Sequence, residues 1–86
     1  MAHSVEFKHS ARKELADLPQ DIHARVLRAV LALSDDPRPA GCKKLRAADL
    51  WRIRVGRYRI VYEIKDDALV VLVITIAHRR EAYRAL

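Results

Sequence analysis

The stretch LWRIRVGRYRIVYEI, residues 50–64, decides the fold. Apolar and charged residues alternate with period two on both sides of Gly56 and Arg57, which predicts two antiparallel strands joined by a two-residue turn. Glycine at the first turn position favours a type II′ turn and fixes which residues face each other. Counting outward from the turn predicts three apolar pairs on one face, namely Val55 with Tyr58, Ile53 with Ile60 and Trp51 with Tyr62.

The other face of this hairpin is predicted to be cationic. Arg54 lies opposite Arg59, Arg52 lies opposite Val61, and Glu63 stands at the far end. Like charges opposite each other destabilise a sheet, by part of the roughly 0.2–1 kcal/mol typical of cross-strand pairs. We therefore expect Arg54→Gln or Arg59→Gln to leave stability unchanged or slightly higher. The face is either an ordinary solvated surface or a site for an anion; we favour the anion, since guanidinium groups match phosphate in geometry.

Earlier in the chain the periodicity is helical. HSVEFK (3–8) predicts a short strand, Ser10 is a plausible N-cap, and Ala11, Leu15 and Leu18 recur at helical spacing. Pro19 suits the first turn of a second helix. The apolar stripe of that helix is predicted to comprise Ile22, Val26, Val30 and Leu33, widened by Leu27 and Leu31.

The rest of the chain completes a small sheet. Residues 34–41, SDDPRPAG, have the composition of a loop, and LVVLVITI (69–76) is apolar on both faces, as in a strand covered on both sides. The predicted order is β-α-α-β-β-β. We expect an α+β fold in which an N-terminal αα-hairpin packs on one face of a small antiparallel sheet.

Length and charge indicate one basic domain. The chain has 86 residues and a net charge of +6, so we expect a single domain spanning residues 1–86. Residues 1–37 hold five Lys/Arg against six Asp/Glu, whereas residues 38–86 hold twelve against five. This segregation predicts a polyanion-binding surface, with nucleic acid as the first candidate partner and an acidic protein segment as the second.

The sequence shows no pattern typical of disulfide-bonded, metal-binding or membrane-spanning proteins. Cys42 is the single cysteine, and the four histidines show no metal-ligand spacing, so neither a disulfide framework nor a metal or cofactor site is expected. The longest apolar run, ALVVLVITIA (68–77), is too short to span a bilayer. We expect a soluble cytoplasmic protein that does not bind membranes.

A second basic cluster, AHRREAYR (77–84), follows the last predicted strand and contains His78, Arg79, Arg80 and Tyr83. It is either a frayed basic tail or an extension of the cationic face. Cleavage of RNA by its own 2′-hydroxyl needs an oriented nucleophile, stabilised phosphoryl charge and a proton for the leaving oxygen. Arginines supply the second requirement, and Tyr83 could stack on an unpaired base.

The segments KKLRAADLWRIRVGRYRIVYEI (43–64) and VLVITIAHRREAYR (71–84) resemble the RelE-type toxins of bacterial and archaeal toxin–antitoxin pairs. The resemblance implies a ribosome-dependent endoribonuclease that cuts messenger RNA in the ribosomal A site without a metal and leaves a 2′,3′-cyclic phosphate. Its implied partners are the ribosome and mRNA, a cognate antitoxin whose acidic and apolar segment wraps the toxin, and operator DNA reached through that antitoxin.

The resemblance also assigns roles to residues. The catalytic positions of the family fall on Arg52, Arg54, Arg59, Arg79 and Tyr83. Six further basic residues of these segments are predicted to bind RNA: Lys43, Lys44, Arg46, Arg57, His78 and Arg80. The best-known family pattern has lysine at positions 52 and 54; arginine is a poorer proton acceptor, so the general base stays unassigned.

Two alternatives remain open. ParE-like toxins share this fold but poison DNA gyrase without nuclease activity; the basic hairpin together with Arg79 and Tyr83 favours the ribonuclease. A nucleic-acid-binding module without catalysis predicts salt-dependent RNA binding with intact messages.

Overall fold

The computed structural model describes residues 3–46 and 49–78, which form two helices and one sheet. The α+β class and the predicted helices and strands are confirmed, and a two-residue strand that was not predicted is added. The elements in chain order are β1 (Ser4–Phe7), α1 (His9–Ala16), α2 (Gln20–Ala32), β2 (Lys43–Lys44), β3 (Leu50–Val55), β4 (Tyr58–Lys65) and β5 (Val70–His78).

The hairpin of β3 and β4 has the predicted register. All three apolar pairs form, Arg54 lies opposite Arg59, and Arg52 lies opposite Val61. Gly56 has φ of +58°, whereas Arg57 does not adopt a positive φ, which is the pattern of a type II′ turn. Turn chemistry and alternation therefore specify the register of this hairpin.

The strand order across the sheet is β1-β5-β4-β3-β2. Three of the four pairings are antiparallel, as expected, but β1 pairs with β5 in parallel, so the sheet is mixed. β1 and β5 are connected through both helices and three other strands, and two parallel strands require such a long connection. β5 is an interior strand, which explains its apolar sequence, and β4 is the middle one.

The helices cover one face of the sheet. In α2, Val26 and Val30 are fully buried, but Leu31 is 54% exposed and lies outside the apolar stripe, contrary to expectation. α1 begins at His9 after Lys8, so the N-cap prediction for Ser10 is wrong, while Pro19 directly precedes α2. No helix in the described ranges has the length and apolar content to cross a membrane.

Candidate nucleic-acid interface

Four cations line the sheet face opposite the helices: Lys43, Arg52, Arg54 and Arg59, together called the basic face. The register explains their proximity, because Lys43 of β2 pairs with Arg52 of β3, while Arg54 pairs with Arg59 of β4. Period-two alternation keeps the apolar partners of the same strands on the helix side. The structure thus brings together three of the five predicted catalytic residues and one predicted RNA-binding residue.

The basic face is partly enclosed rather than open. Arg52 and Arg59 are each only 7% exposed, whereas Arg54 is exposed. Each of the two buried arginines also takes part in an interaction, so neither is an isolated buried charge. A guanidinium in such surroundings acts on a nearby anion through less water, which strengthens its electrostatic effect.

A cavity of about 320 Å³ opens beside this face. Its lining contains three cations and no acidic side chain: Ala40, Gly41, Lys43, Arg52, Ile53 and Arg54. Gly41 has φ of +90°, a conformation that favours glycine, and it lies in the turn two residues before β2 begins. The arrangement can hold an anionic group against three positive side chains.

Other predicted RNA-binding residues lie elsewhere. Lys44 projects to the helix side, where its Nζ lies 6.0 Å from the centroid of the Trp51 ring. Arg46 follows β2 toward the end of the hairpin remote from the turn, and exposed Arg57 occupies the turn itself. His78 contacts its cross-strand partner Tyr58 edge to face at 5.5 Å, also on the helix side.

The second basic cluster lies largely outside the described residues. Arg79, Arg80 and Tyr83 belong to residues 79–86, so their assigned roles stay predictions. Within residues 3–46 and 49–78, no three His, Cys, Asp or Glu side chains form a group that could hold a metal ion.

Sequence reasoning missed an ionic cluster at the open end of the hairpin, the end away from Gly56. The Arg38 guanidinium donates to Asp66 at 3.0 Å and lies 5.0 Å from the centroid of Trp51. His3 Nε2 lies 3.4 Å from the other carboxylate oxygen of Asp66. The hydrogen bond from Arg38 lowers the pKa of Asp66 and raises that of Arg38. No sequence pattern links these three distant segments.

Glu14 of α1 was also missed, although it shapes the end of β5. Its carboxylate accepts a hydrogen bond from the Ile76 N–H at 2.9 Å and another from Thr75 Oγ1 at 3.1 Å. The register of β4 and β5 shifts beside Thr75, between Val61 and Tyr62. Such an irregularity changes the direction of a strand, so Glu14 helps to set the path of the chain approaching His78.

The fold and the basic face together define a class, a small α+β domain whose sheet has one apolar and one cationic face. Comparison with known proteins narrows it: a family model described as "ParE toxin of type II toxin-antitoxin system, parDE" matches residues 5–83. Toxin RelG of Mycobacterium tuberculosis is 36% identical over 98% of this chain and 99% of its own length. The mRNA interferase toxin RelE of Escherichia coli is 26% identical over 95% of this chain and 88% of its own.

Solved structures agree with the sequence relatives. The toxin–antitoxin complex RelBE2 of Mycobacterium tuberculosis contains a chain with TM-score 0.81 and 33% identity, covering 92% of this chain and 100% of its own. The archaeal RelE–RelB complex of Pyrococcus horikoshii gives TM-score 0.82 and 27% identity, with coverage of 92% and 97%. This chain belongs to the RelE/ParE superfamily of type II toxins and is of the RelE type.

Proposed function

We propose that this protein is a toxin that cleaves messenger RNA in the ribosomal A site without a metal ion. The observation that carries the proposal is the basic face, on which Arg52, Arg54 and Arg59 come into register. The similarity to a relative named mRNA interferase supports the same activity. The ParE-like alternative finds less support, since the named sequence relatives are RelE and RelG toxins.

The reaction would use a nucleophile within the substrate. The ribose 2′-oxygen forms a bond to the adjacent phosphorus while the bond from phosphorus to the 5′-oxygen breaks, leaving a 2′,3′-cyclic phosphate. The 2′-hydroxyl loses its proton to a base, and the 5′-oxygen gains one. Negative charge builds on the non-bridging oxygens, where fixed cationic donors lower the barrier.

Burial suits Arg52 and Arg59 to that electrostatic task. Their guanidiniums are fixed by surrounding protein, so little reorganisation is needed when charge develops. Exposed Arg54 and Lys43 would bind the RNA backbone next to the phosphate that is cleaved. Arginine is not deprotonated in proteins, so the base is not among these arginines. Arg79 and Tyr83 are proposed to contribute proton transfer and stacking on a substrate base.

The proposed partners follow from this chemistry. The substrate is mRNA on the ribosome, and the site of action is the cytoplasm. An antitoxin would silence the toxin by covering the cationic face with acidic and apolar residues; the solved relatives cited above are complexes with RelB antitoxins. Operator DNA would be reached through that antitoxin.

The test is induction of the protein in cells, with 5′ ends mapped on one reporter message and on the same message without a start codon. We expect new 5′ ends only on the translated message. Arg54→Gln should reduce cleavage about 10- to 100-fold, less than the loss of a buried donor, because Arg54 is exposed. Lys65→Gln, at the open end, should cut like the wild type.

Each result has a defined meaning. Equal cleavage of both messages would contradict ribosome dependence. Intact messages with DNA damage would replace the proposal with the gyrase-directed alternative. Intact messages with salt-dependent RNA binding would leave a binding module without catalysis.

A further inference from the structure

A side chain of α2 reaches the turn of the β3–β4 hairpin. The two terminal nitrogens of Arg25 lie 3.8 and 3.9 Å from the position that a Cβ atom on Gly56 would occupy. Arg25 is exposed, and the family resemblance assigned it no role. α2 therefore adds a guanidinium to a turn that already carries arginines.

We define the hairpin tip as Arg25, Arg54, Gly56 and Arg57. Arg25, Arg54 and Arg57 are exposed, and Arg59 adjoins them across the strand pair. A cavity of about 70 Å³ lies here, lined by Arg54, Gly56, Arg57, Tyr58 and Arg59. Three of these five lining residues are arginines, which suits the cavity to a small anionic group such as a phosphoryl group.

No acid neutralises the tip within the described residues. The two salt bridges in the described part of the chain both involve Asp66, which lies at the open end of the hairpin. Asp21 stands one helical turn before Arg25, yet the two form no ion pair. Several like charges close together repel one another, and a bound anion would relieve that repulsion.

We propose that the hairpin tip binds a backbone phosphate of RNA, with Arg25 as a positioning residue outside the cleavage site. Arg54 belongs both to the basic face and to the tip, so an RNA backbone bound along the face can continue over the turn toward α2. A guanidinium group can donate two hydrogen bonds to one phosphate, which favours phosphate as the ligand. Contacts to backbone phosphates fix the orientation of the RNA but do not recognise its sequence. The inference rests on RNA being the substrate of the proposed function.

The experiment measures RNA affinity across a salt series with two probes, a single-stranded message oligonucleotide and empty ribosomes. The proteins are the wild type, Arg25→Gln, Arg25→Lys and Lys65→Gln. Lys65 is an exposed cation at the other end of β4, about 23 Å from Tyr58 at 3.3 Å per residue. Melting temperatures of all four check that the fold is intact.

We expect Arg25→Gln to weaken binding several-fold near 0.1 M salt. The slope of log affinity against log salt should become shallower by about 0.7–0.9, the loss of one phosphate contact. Arg25→Lys keeps the charge and should keep the slope, which a purely structural role of Arg25 would not predict. Lys65→Gln should match the wild type.

The two probes identify the RNA. If Arg25→Gln weakens binding to the oligonucleotide, the tip binds the message. If it weakens binding to ribosomes alone, the tip binds ribosomal RNA. Either result supports the site. Unchanged affinity and slope for Arg25→Gln on both probes would overturn it, even if the wild type cleaves messages. Weaker binding by Arg25→Gln in a protein that cleaves nothing would instead keep the site and refute the nuclease.

Discussion

Positively charged side chains have different surroundings at the two ends of the β3–β4 hairpin. At the open end, Arg38 is paired with Asp66 and packed on Trp51, and Lys44 lies near the same ring. At the turn end, Arg54 faces Arg59, and exposed Arg57 follows Gly56. Both salt bridges among the described residues lie at the open end.

The difference separates structural cations from cations available for binding. An arginine already matched by a carboxylate and an aromatic ring gains little from an external anion, because its partners are in place. Exposed Arg54 and Arg57, which form no salt bridge among the described residues, gain much more. Position on the sheet, rather than overall composition, therefore indicates which basic residues can engage a polyanion.

The largest change in stability is expected for Arg59→Gln, and Arg54→Gln at the same end of the hairpin serves as its comparison. Because Arg59 is buried and engaged, Arg59→Gln should reduce the free energy of unfolding by about 1–3 kcal/mol. Arg54→Gln should leave it unchanged or slightly higher, since it removes a repulsive pair. Urea denaturation measures both, and equal effects would show that the two arginines share one environment.

This revises the expectation drawn from the sequence, which treated Arg54 and Arg59 alike. The register is as predicted, but burial differs between the two members of the pair. Alternation specifies the face on which a residue lies and carries no information on what covers that face.

A smaller effect concerns Tyr62 at the open end. Its buried hydroxyl donates to the Pro37 carbonyl at 2.7 Å, and burial raises the pKa of Tyr62 well above its usual range. Tyr62→Phe should cost about 1 kcal/mol at neutral pH. The raised pKa means that the contribution of Tyr62 is complete below about pH 10, where an unfolded tyrosine begins to ionise, and declines as pH rises further.

The stability difference between wild type and Tyr62→Phe should therefore shrink above about pH 10, by up to about 1.4 kcal/mol per pH unit. Chemical denaturation at a series of alkaline pH values follows it. A difference that stays constant would mean that Tyr62 ionises equally in the folded and unfolded states.

The smallest expected effect comes from Asp66→Asn, because Asp66 is exposed. The pKa of this carboxyl is lowered by Arg38, so its contribution is present above the ordinary aspartate pKa of about 3.9 and is lost as pH falls further. A slight fall in melting temperature at pH 7 should vanish at pH 2–3. Asp67→Asn is the matched control, since exposed Asp67 forms no salt bridge in the described structure.

The hairpin was predictable because its information is local. Gly56 sets the turn, and alternation then fixes the face of every residue from Trp51 to Tyr62. Three of the proposed catalytic arginines were found in this way. The helices were predictable for a similar reason, since Val26 and Val30 recur at helical spacing.

Features that depend on distant segments were not predictable. β2 has only two residues, too few for alternation, so Lys43 and Lys44 were both predicted to bind RNA although they lie on opposite faces. The parallel pairing of β1 with β5 depends on the path of the whole chain. The approach of Arg25 to the turn and the hydrogen bond from Ile76 of β5 to Glu14 bring together residues more than thirty positions apart.

The position of β5 has a consequence for synthesis. Residues 70–78 form the strand between β1 and β4, so β1 has no neighbour in the sheet until nearly the whole described chain has been made. Glu14 likewise meets its partners at Thr75 and Ile76 only then. A nascent chain interrupted before Val70 lacks the strand that joins the two sides of the sheet, so incomplete translation products of this toxin would be inert.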